Sequence, residues 1–309
     1  MSGRVFCLKL TSMSLQGSTK EEEKMKKLFK SILVLALAAL VFTGCSSSST
    51  TTQTTTSTNE ETTETDKKIV VGATAIPHAM ILNDVVKGIL EKEGWELEVV
   101  EFTDYVTPNT SLEEGEIDAN YFQTLGYLKD QNETRGLHLS AVAGIHYEPM
   151  TIFAANLTAV DELKDGDTIV IPNDFDNEKR ALSVLDQAGI LTYDPAKVAD
   201  DGSPLDGIVE NPLNLTIQEV EAALVPQYAA EVTAVVANGN YALEANLKDS
   251  ANAIFVETPD IEARTNYLVV KEGNEETEKT KALVAAITSP EVKSYIEENY
   301  GSAVICVFD

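Results

Sequence analysis

Basic residues are scarce in this sequence. The chain of 309 residues has 23 Lys and Arg against 50 Asp and Glu, a formal net charge of −27. Nucleic-acid-binding proteins draw much of their affinity from clustered positive charge, so a nucleic-acid partner is not expected. The same imbalance argues against docking to anionic lipid through side chains. The acidity itself predicts a soluble, self-repelling chain and names no ligand.

Histidine and cysteine are equally rare, with three residues of each. No two of His78, His138 and His146 have the sequence spacing of metal ligands, so neither a metal site nor a cofactor is predicted. His78 and His146 are expected to be structural. The sequence also lacks a Gly-x-Ser-x-Gly elbow, a P-loop and a Gly-x-Gly-x-x-Gly motif. We therefore expect a binding protein and not an enzyme.

The most informative residue is Cys45. A basic segment from Met25 to Lys30 is followed by a short apolar stretch, then by Gly44-Cys45 and a tract rich in Ser and Thr. The apolar stretch is shorter than the about 20 residues of a membrane-spanning helix, and its flanks are typical of a signal peptide. The pattern predicts a bacterial lipoprotein signal, with cleavage before Cys45 and a lipid on its sulfur.

The chain divides into segments around this cysteine. Residues 1–24 do not fit a signal peptide, so Met25 is the expected start and 1–24 an upstream extension. Residues 25–44 are the predicted signal peptide, and 45–66 hold the lipidated cysteine and a tether without aliphatic residues, which is expected to be disordered. Residues 67–309 are numerous enough for two modest lobes.

Apolar strands and amphipathic helices alternate after the tether. Strands are predicted at 68–74, 95–99, 117–122, 168–172, 234–237 and 267–270. Helices are predicted at 78–93, from about 178 to 188, and at 275–300 with a break at Pro290. This alternation predicts an α/β fold with largely parallel strands.

Polar and aromatic side chains follow several of these strands. Doubly wound sheets bind ligands beyond the carboxyl ends of their strands, where this chain has amides, aromatic rings and Arg180. A guanidinium in the first turn of a helix suits a carboxylate. Asparagine amides suit an ammonium or carboxylate group, and aromatic rings suit an apolar side chain. The set favours a pocket for a zwitterionic amino acid. A surface salt bridge for Arg180 and half-buried packing for the tyrosines stay open as alternatives.

Five separated motifs carry a family resemblance. They are Asp104-Tyr105-Val106 with Pro108-Asn109, Gly115 to Asn120 with Phe122-Gln123, Glu148-Pro149-Met150, Ile171 to Asp174 with Arg180-Ala181-Leu182, and Glu210-Asn211-Pro212. In order and spacing they resemble the NlpA family of methionine-binding lipoproteins, from about Lys67 to the C-terminus. The resemblance implies the substrate-binding component of an ABC importer. It also implies a two-lobed fold like that of the type II periplasmic binding proteins, with a hinge between two doubly wound lobes.

The resemblance implies a set of ligand-binding residues. Arg180 resembles the carboxylate clamp of the family, and Asn238 resembles the amide that binds the amino-acid backbone. The aromatic residues resemble the walls around a thioether side chain. The residues expected at the ligand are Tyr105, Phe122, Thr124, Tyr127, Asn173, Asn177, Arg180 and Asn238.

Two departures from the family pattern bear on the ligand. Thr124 stands where the family usually has histidine, and Met80 stands where it tends to have glutamate. Losing a pocket histidine removes a hydrogen-bond donor and leaves space. L-Methionine is the first expectation, and D-methionine, a methionine-containing dipeptide or another apolar amino acid remain open.

The predicted lobes are residues 67–151 plus 259–309 and residues 152–258, joined by a hinge. The ligand is expected to bridge them, and the closed form to dock on an ABC transporter permease. The lipid on Cys45 holds the protein on the extracytoplasmic face of the cell membrane, in a Gram-positive-type cell. A surface lipoprotein with an adhesive or structural role is the alternative from a different class, because such a protein needs no cleft.

Overall fold

The computed structural model describes residues 67–199, 202–258 and 260–309. The predicted upstream extension, signal peptide, lipidated Cys45 and tether lie outside these residues. Among the residues described, no helix combines the length and apolar character that crossing a membrane requires.

The described residues form strands and helices in alternation. The strands are β1 (Lys68–Thr74), β2 (Glu96–Phe102), β3 (Ala119–Thr124), β4 (Leu139–Tyr147), β5 (Thr151–Ala154), β6 (Thr168–Pro172), β7 (Thr192–Tyr193), β8 (Ile208–Glu210), β9 (Thr216–Val220), β10 (Ala234–Ala237), β11 (Asn252–Val256), β12 (Thr265–Lys271) and β13 (Ile305–Cys306). The α-helices are α1 (Lys87–Lys92), α2 (Thr107–Glu114), α3 (Leu125–Arg135), α4 (Phe175–Gln187), α5 (Gly239–Glu244), α6 (Leu247–Ser250), α7 (Ile261–Arg264), α8 (Glu278–Ile287) and α9 (Pro290–Tyr300).

Shorter helical segments complete the chain. Two π-helical segments, Ala75–Ala79 and Leu82–Val86, precede α1. A 3₁₀ segment, Ala222–Ala230, precedes β10. The predicted helix at 78–93 is therefore present as π-helical turns that pass into α1, and the predicted break at Pro290 separates α8 from α9.

Two mixed sheets organise the fold. The first has the strand order β13-β4-β12-β3-β1-β2, and the second has the order β11-β5-β10-β6-β9. We name the parts built on them the six-stranded lobe and the five-stranded lobe. The predicted α/β class is confirmed, but the strands are less parallel than expected. The pairs β1–β2, β1–β3, β6–β10 and β6–β9 are parallel, whereas β12 pairs antiparallel with β3 and β4, and β5 pairs antiparallel with β10 and β11.

Each sheet has apolar cores on both faces. In β1, Ile69 and Val71 join one core of the six-stranded lobe, while Val70 packs against the other. In β6, Ile169 and Ile171 face one core of the five-stranded lobe, and Val170 faces the other. Strands buried on both faces read as unbroken apolar runs, which is why the sequence predicted these two strands correctly.

The chain passes between the two sheets twice. Residues 148–150 connect β4 of the first sheet to β5 of the second, and residues 257–264 connect β11 back to β12. Both connections lie beside the ends of strands that carry polar side chains. The crossings therefore bring residues far apart in sequence to one region between the lobes.

Candidate functional site

A cavity lies between the lobes, and the empty space within its lining, including solvent at its opening, is about 360 Å³. Its lining comes from both lobes and from the first crossing. The lining residues are Tyr105, Phe122, Gln123, Thr124, Tyr127, Glu148, Asn177, Arg180, Asn238, Gly239, Asn240 and Asn266. Seven of the eight residues expected at a ligand are in this set. The exception is Asn173, which is exposed at the end of β6, one residue before the N-cap of α4.

Three aromatic rings form one wall of the cavity. The ring centroids of Tyr105 and Phe122 are 5.8 Å apart, those of Tyr105 and Tyr127 are 5.7 Å apart, and those of Phe122 and Tyr127 are 6.0 Å apart. The Tyr127 hydroxyl donates to the Tyr105 carbonyl oxygen at 3.0 Å, which fixes the two rings relative to each other. Burial raises the pKa of Tyr105 and of Tyr127, so both hydroxyls stay neutral. This wall suits an apolar or thioether side chain.

Arg180 is buried and forms an ion pair with Glu257. Its Nε donates to both carboxylate oxygens at 3.0 and 3.2 Å, and its Nη2 donates to Oε2 at 2.6 Å. Nη2 also donates to the Glu148 carbonyl oxygen at 2.7 Å. Burial raises the pKa of Glu257, but the hydrogen bonds and charge of Arg180 outweigh it and hold the pKa below the usual range. Among the described residues, Nη1 has no hydrogen-bond partner.

The position of Arg180 corrects one expectation. The helix α4 begins at Phe175, three residues before the predicted start, because the Asp174 side chain caps it by accepting from the Asn177 N–H at 3.0 Å. Arg180 therefore lies in the second turn and not in the first. Its guanidinium lines the cavity, but the free backbone N–H groups at the N-terminus of α4 are one turn away from it.

Four asparagines line the cavity, and three of them are Asn177, Asn238 and Asn240 of the five-stranded lobe. Asn238 Nδ2 donates to Asn177 Oδ1 at 2.7 Å, and the Tyr105 hydroxyl donates to Asn240 Oδ1 at 2.6 Å. Asn238 Oδ1 and Asn240 Nδ2 are buried without a hydrogen-bond partner among the described residues. The cavity thus has one unpartnered acceptor and one unpartnered donor at neighbouring positions, which is unusual for buried polar atoms.

Glu148 supplies a third unpartnered atom. Its Oε1 lies 2.7 Å from His146 Nε2 and 3.5 Å from His78 Nε2, whereas its Oε2 has no hydrogen-bond partner among the described residues. A Cβ atom at Gly239 would lie 2.7 Å from Oε2, so this oxygen is at the cavity wall that Gly239 lines. Burial raises the pKa of Glu148 to about 7, against the opposing effects of His78, Arg180 and the Asn240 backbone N–H.

The two histidines behind Glu148 are buried and neutral. Burial lowers the pKa of His78 to about 4 and that of His146 to about 3. The sequence spacing suggested no metal-ligand pair, yet the ligating atoms of His78, His146 and Glu148 lie within 4.8 Å of one another. His146 Nε2 is bonded to Glu148 Oε1, His78 Nε2 is bonded to Asn266 Oδ1 at 3.2 Å, and both Nδ1 atoms are bonded to hydroxyl groups. The three side chains therefore form a hydrogen-bonded network.

Contacts across the cavity join the two lobes. Besides the Tyr105–Asn240 bond, the rings of Tyr105 and Tyr241 stack at 4.9 Å, and the Tyr241 hydroxyl donates to the Thr103 carbonyl oxygen at 3.3 Å. Asp176 of α4 accepts from Arg264 Nη1 at 3.4 Å and from Thr124 Oγ1 at 3.5 Å. These contacts link the two lobes directly beside the cavity.

Thr124 caps the N-terminus of α3 through a hydrogen bond from the Tyr127 N–H at 3.4 Å. It is placed beside the aromatic wall by the same turn that positions Tyr127. A side chain at Gly126 would collide with Asp176 from the other lobe, so glycine allows the lobes to approach at this point.

Sequence reasoning assigned no role to five lining residues, which are Gln123, Glu148, Gly239, Asn240 and Asn266. One signal was available for Glu148: His146 lies two residues before it, and residues two apart share a face of an extended chain. The position of His78 beside them has no sequence signal, because it depends on how β1 and β4 lie in the sheet.

The chain is similar to known proteins over most of its length. The model of the NlpA lipoprotein family matches residues 69–308. The methionine-binding lipoprotein MetQ of Bacillus subtilis (strain 168) is 34% identical over 287 residues, which cover 92% of this chain and 99% of that protein.

Solved structures show the same architecture. A nutrient-binding protein from Burkholderia cenocepacia, bound to methionine, is 34% identical with a TM-score of 0.73, covering 78% of this chain and 100% of that chain. An ABC transporter periplasmic substrate-binding protein from Coxiella burnetii is 33% identical with a TM-score of 0.70, covering 77% of this chain and 100% of that chain. The predicted two-lobed fold of the periplasmic-binding-protein type is confirmed.

Proposed function

The chain belongs to the NlpA lipoprotein family, and on that premise we propose that it captures methionine, or a close derivative, between its two lobes and delivers it to an ABC importer. The observation that carries the proposal is the set of unpartnered polar atoms in a cavity with an aromatic wall. A zwitterionic amino acid with an apolar side chain would satisfy all of them at once.

The polar atoms of the cavity comprise hydrogen-bond acceptors, which suit a cationic group, and hydrogen-bond donors, which suit an anionic group. Glu148 Oε2 and Asn238 Oδ1 are acceptors without partners and suit an α-ammonium group. Asn240 Nδ2 is an unpartnered donor and suits an α-carboxylate, as does the guanidinium of Arg180 that lines the cavity. Leaving buried polar atoms without partners destabilises a protein by about 1–3 kcal/mol for each group. A ligand that supplies the missing partners recovers this free energy, which contributes to its affinity.

The aromatic wall selects the side chain of the ligand. The rings of Tyr105, Phe122 and Tyr127 offer faces and edges to a flexible thioether, which interacts favourably with aromatic rings. The name of the Bacillus relative and the ligand of the Burkholderia structure both support methionine. D-Methionine, a methionine-containing dipeptide and another apolar amino acid are the alternatives within this class.

Capture proceeds by closure of the lobes over the ligand. A ligand with contacts on both lobes favours the closed state because it binds that state more tightly. The lobes comprise residues 67–151 plus 259–309 and residues 152–258. The two sheets support this division except at Thr151, which pairs with Ala237 in the second sheet. The residues that contact the ligand are Tyr105, Phe122, Thr124, Tyr127, Asn177, Arg180 and Asn238, to which the cavity adds Glu148 and Asn240.

The anchor and the partners complete the proposal. A lipid on Cys45 holds the protein on the extracytoplasmic face of the membrane of a Gram-positive-type cell, and the closed form docks on a membrane permease. The family is one of substrate-binding proteins, and we propose that the chain catalyses no reaction. The name of the Coxiella relative supports the link to an ABC transporter.

Calorimetric titration of the full chain in detergent tests the function. We expect binding of L-methionine that is at least about tenfold tighter than binding of leucine, a difference of about 1.4 kcal/mol. D-Methionine and glycyl-methionine, titrated in the same way, identify the preferred species. Absence of heat from every methionine derivative would contradict the proposal. Recovery of a chemically altered ligand after incubation would contradict the binding-only role.

A further inference from the structure

Glu148 lines the cavity, and no Lys or Arg within the described ranges forms an ion pair with its carboxylate. The carboxylate is 4% exposed, and its Oε2 has no hydrogen-bond partner among the described residues. The nearest fixed positive charge is Arg180, but that guanidinium makes three hydrogen bonds to Glu257. The Asn240 backbone N–H favours the ionised form of this carboxyl group. A buried carboxylate without a cation is still disfavoured, and it takes up a proton unless a cation arrives.

His146 orients this carboxyl group. The Tyr121 hydroxyl is bonded to His146 Nδ1, and the Thr74 hydroxyl lies 2.8 Å from His78 Nδ1. Hydroxyl groups that donate to Nδ1 leave the ring proton of each neutral histidine on Nε2. The His146 proton then faces Glu148 Oε1 at 2.7 Å, whereas the His78 proton is donated to Asn266 Oδ1 at 3.2 Å. Because Oε1 accepts from His146, a proton on the carboxyl group resides on Oε2, at the cavity.

Other titratable groups face Glu148 from the elements packed around it. They are His78 after β1, Tyr105 between β2 and α2, Tyr121 on β3, His146 on β4, Arg180 on α4 and Tyr300 on α9. The tyrosines have raised pKa values and stay neutral, and the histidines stay neutral because their pKa values are lowered. None of these groups supplies a free cation to Oε2.

Resting on the proposed function, we propose that ligand capture is coupled to the release of one proton from Glu148, and that His146 is a positioning residue for this exchange. In the empty site the Oε2–H bond is intact. When an amino acid binds, that bond breaks, the proton leaves to solvent, and Oε2 accepts a hydrogen bond from the ligand ammonium. The ammonium keeps its own protons, so charge and protons balance.

The raised pKa of Glu148, about 7, supports this exchange and gives its pH range. The bound state holds one proton fewer than the empty state, so acid favours the empty state. Affinity should therefore fall as the pH drops below about 7, by up to about tenfold for each pH unit. Above about pH 7 the empty site is already ionised, and affinity should be independent of pH.

Titration calorimetry of methionine into the full chain, in buffers with different ionisation enthalpies, counts the protons released. We expect close to one proton per methionine at about pH 6 and almost none at about pH 8.5. Glu148→Gln should bind more weakly and release none. Methionine binding without proton release at about pH 6 would overturn the inference and leave the proposed function intact. Absence of methionine binding at every pH would contradict both the inference and the proposed function.

Two controls identify the source of the proton. Asp174 is a half-buried carboxyl group bonded to the cavity-lining Asn177, with a pKa raised by burial to about 6. Proton release that persists in Glu148→Gln and disappears in Asp174→Asn would overturn the assignment to Glu148. Glu101→Gln changes an exposed carboxylate on β2 and should leave both affinity and proton release as in the parent protein.

A pair of substitutions at His146 tests the positioning role. His146→Gln keeps an N–H donor near the former Nε2 position, so its pH midpoint for binding should match that of the parent. His146→Leu removes the donor, which stabilised the ionised carboxylate, and should raise the midpoint by about one pH unit. Tyr121→Phe removes the hydroxyl that is bonded to His146 Nδ1 but keeps the aromatic ring, so the ring proton of His146 is no longer held on Nε2. This variant replaces His146→Leu in the test if His146→Leu does not fold. Equal midpoints in all of these proteins would overturn the positioning role.

Discussion

The cavity has two buried ionisable side chains, Arg180 and Glu148, and only Arg180 has a counter-ion in the part of the chain that the structure describes. Arg180 is paired with Glu257 through three hydrogen bonds, and its charge is compensated within the protein. Glu148 is buried to a similar degree, but its neighbours are neutral histidines and its Oε2 has no partner among the described residues. One end of the cavity is thus electrostatically complete before a ligand arrives, and the other end is not.

The difference assigns separate tasks to the two ends. Because Glu257 neutralises Arg180, the guanidinium can stay charged and in place in the empty protein, with Nη1 left for a carboxylate. Glu148 depends on an incoming ammonium for its compensation, so it discriminates between ligands that carry this group and ligands that lack it. Substitutions at each end should therefore produce different signatures in stability and in affinity.

The largest effect is expected from breaking the Arg180–Glu257 pair. Glu257→Leu leaves a buried guanidinium without its counter-ion, which should reduce the free energy of unfolding by about 3–5 kcal/mol. The measurement is urea-induced unfolding followed by Trp95 fluorescence. Glu98→Gln, in a pair with Lys68 whose side chains are 44% and 49% exposed, is the control and should change stability by less than about 1 kcal/mol. Equal losses in the two variants would contradict the comparison.

Removal of the guanidinium should next affect ligand binding. Arg180→Ala eliminates a carboxylate partner and strands Glu257, and we expect affinity for methionine to fall by about 2–5 kcal/mol. Lys179→Ala is the matched control, since Lys179 is the adjacent residue and lies over the Phe175 ring, outside the cavity lining. Calorimetric titration of both variants measures the difference, and an unchanged affinity in Arg180→Ala would refute its carboxylate role.

Glu148→Gln should alter the pH dependence of stability in the ligand-free protein. The pKa of Glu148 is raised from 4.5 to about 7, so the folded state holds a proton that the unfolded state has lost in this range. The stability of the parent should fall, relative to the variant, as the pH rises from about 4.5 to 7, by up to about 3 kcal/mol. The lowered pKa values of His78 and His146 act in the opposite direction in both proteins. Urea unfolding at several pH values measures the difference, and parallel curves would contradict the expected shift.

The smallest effect is expected from a neutral contact between the lobes. Tyr241→Phe removes the hydroxyl that donates to the Thr103 carbonyl oxygen and keeps the ring stacked on Tyr105. The loss of this bond should weaken methionine binding by less than about 1 kcal/mol. Tyr228→Phe is the control, because Tyr228 lies outside the cavity lining. A loss in Tyr241→Phe as large as that in Arg180→Ala would show that lobe closure, and not charge, dominates affinity.

The fold was predictable where a strand is buried on both faces. The apolar runs of β1, β6 and β10 were identified from sequence, and so were the helices that follow the first two. The strands β4, β5, β7, β8, β9, β11 and β13 were missed. In β4, Leu139–Tyr147 contains glycine, and its residues show no regular alternation of polarity. The antiparallel pairings of β5 and β12 arise where the chain crosses from one sheet to the other. These crossings depend on the topology of the whole fold, and no local sequence pattern indicates them.

The site was predictable in its residue types but not in its electrostatics. The aromatic wall and the asparagines were expected, and they line the cavity, whereas Asn173 points to solvent. The roles of Glu148 and Glu257 were not foreseen. In a chain with 50 acidic residues, no single carboxylate is conspicuous. Burial and neighbours distinguish these two, and both are tertiary properties.

The sequence by itself determined the alternation of buried strands and amphipathic helices, the polar character of the strand ends and the family to which the chain belongs. These follow from local hydrophobic patterning and from motifs that keep their order along the chain. Only the tertiary structure decided which charge is paired and which is left unpaired. That outcome depends on distances between His78, His146, Glu148, Arg180 and Glu257, residues separated by up to 179 positions, because the cost of burying a charge is set by the groups around it in space.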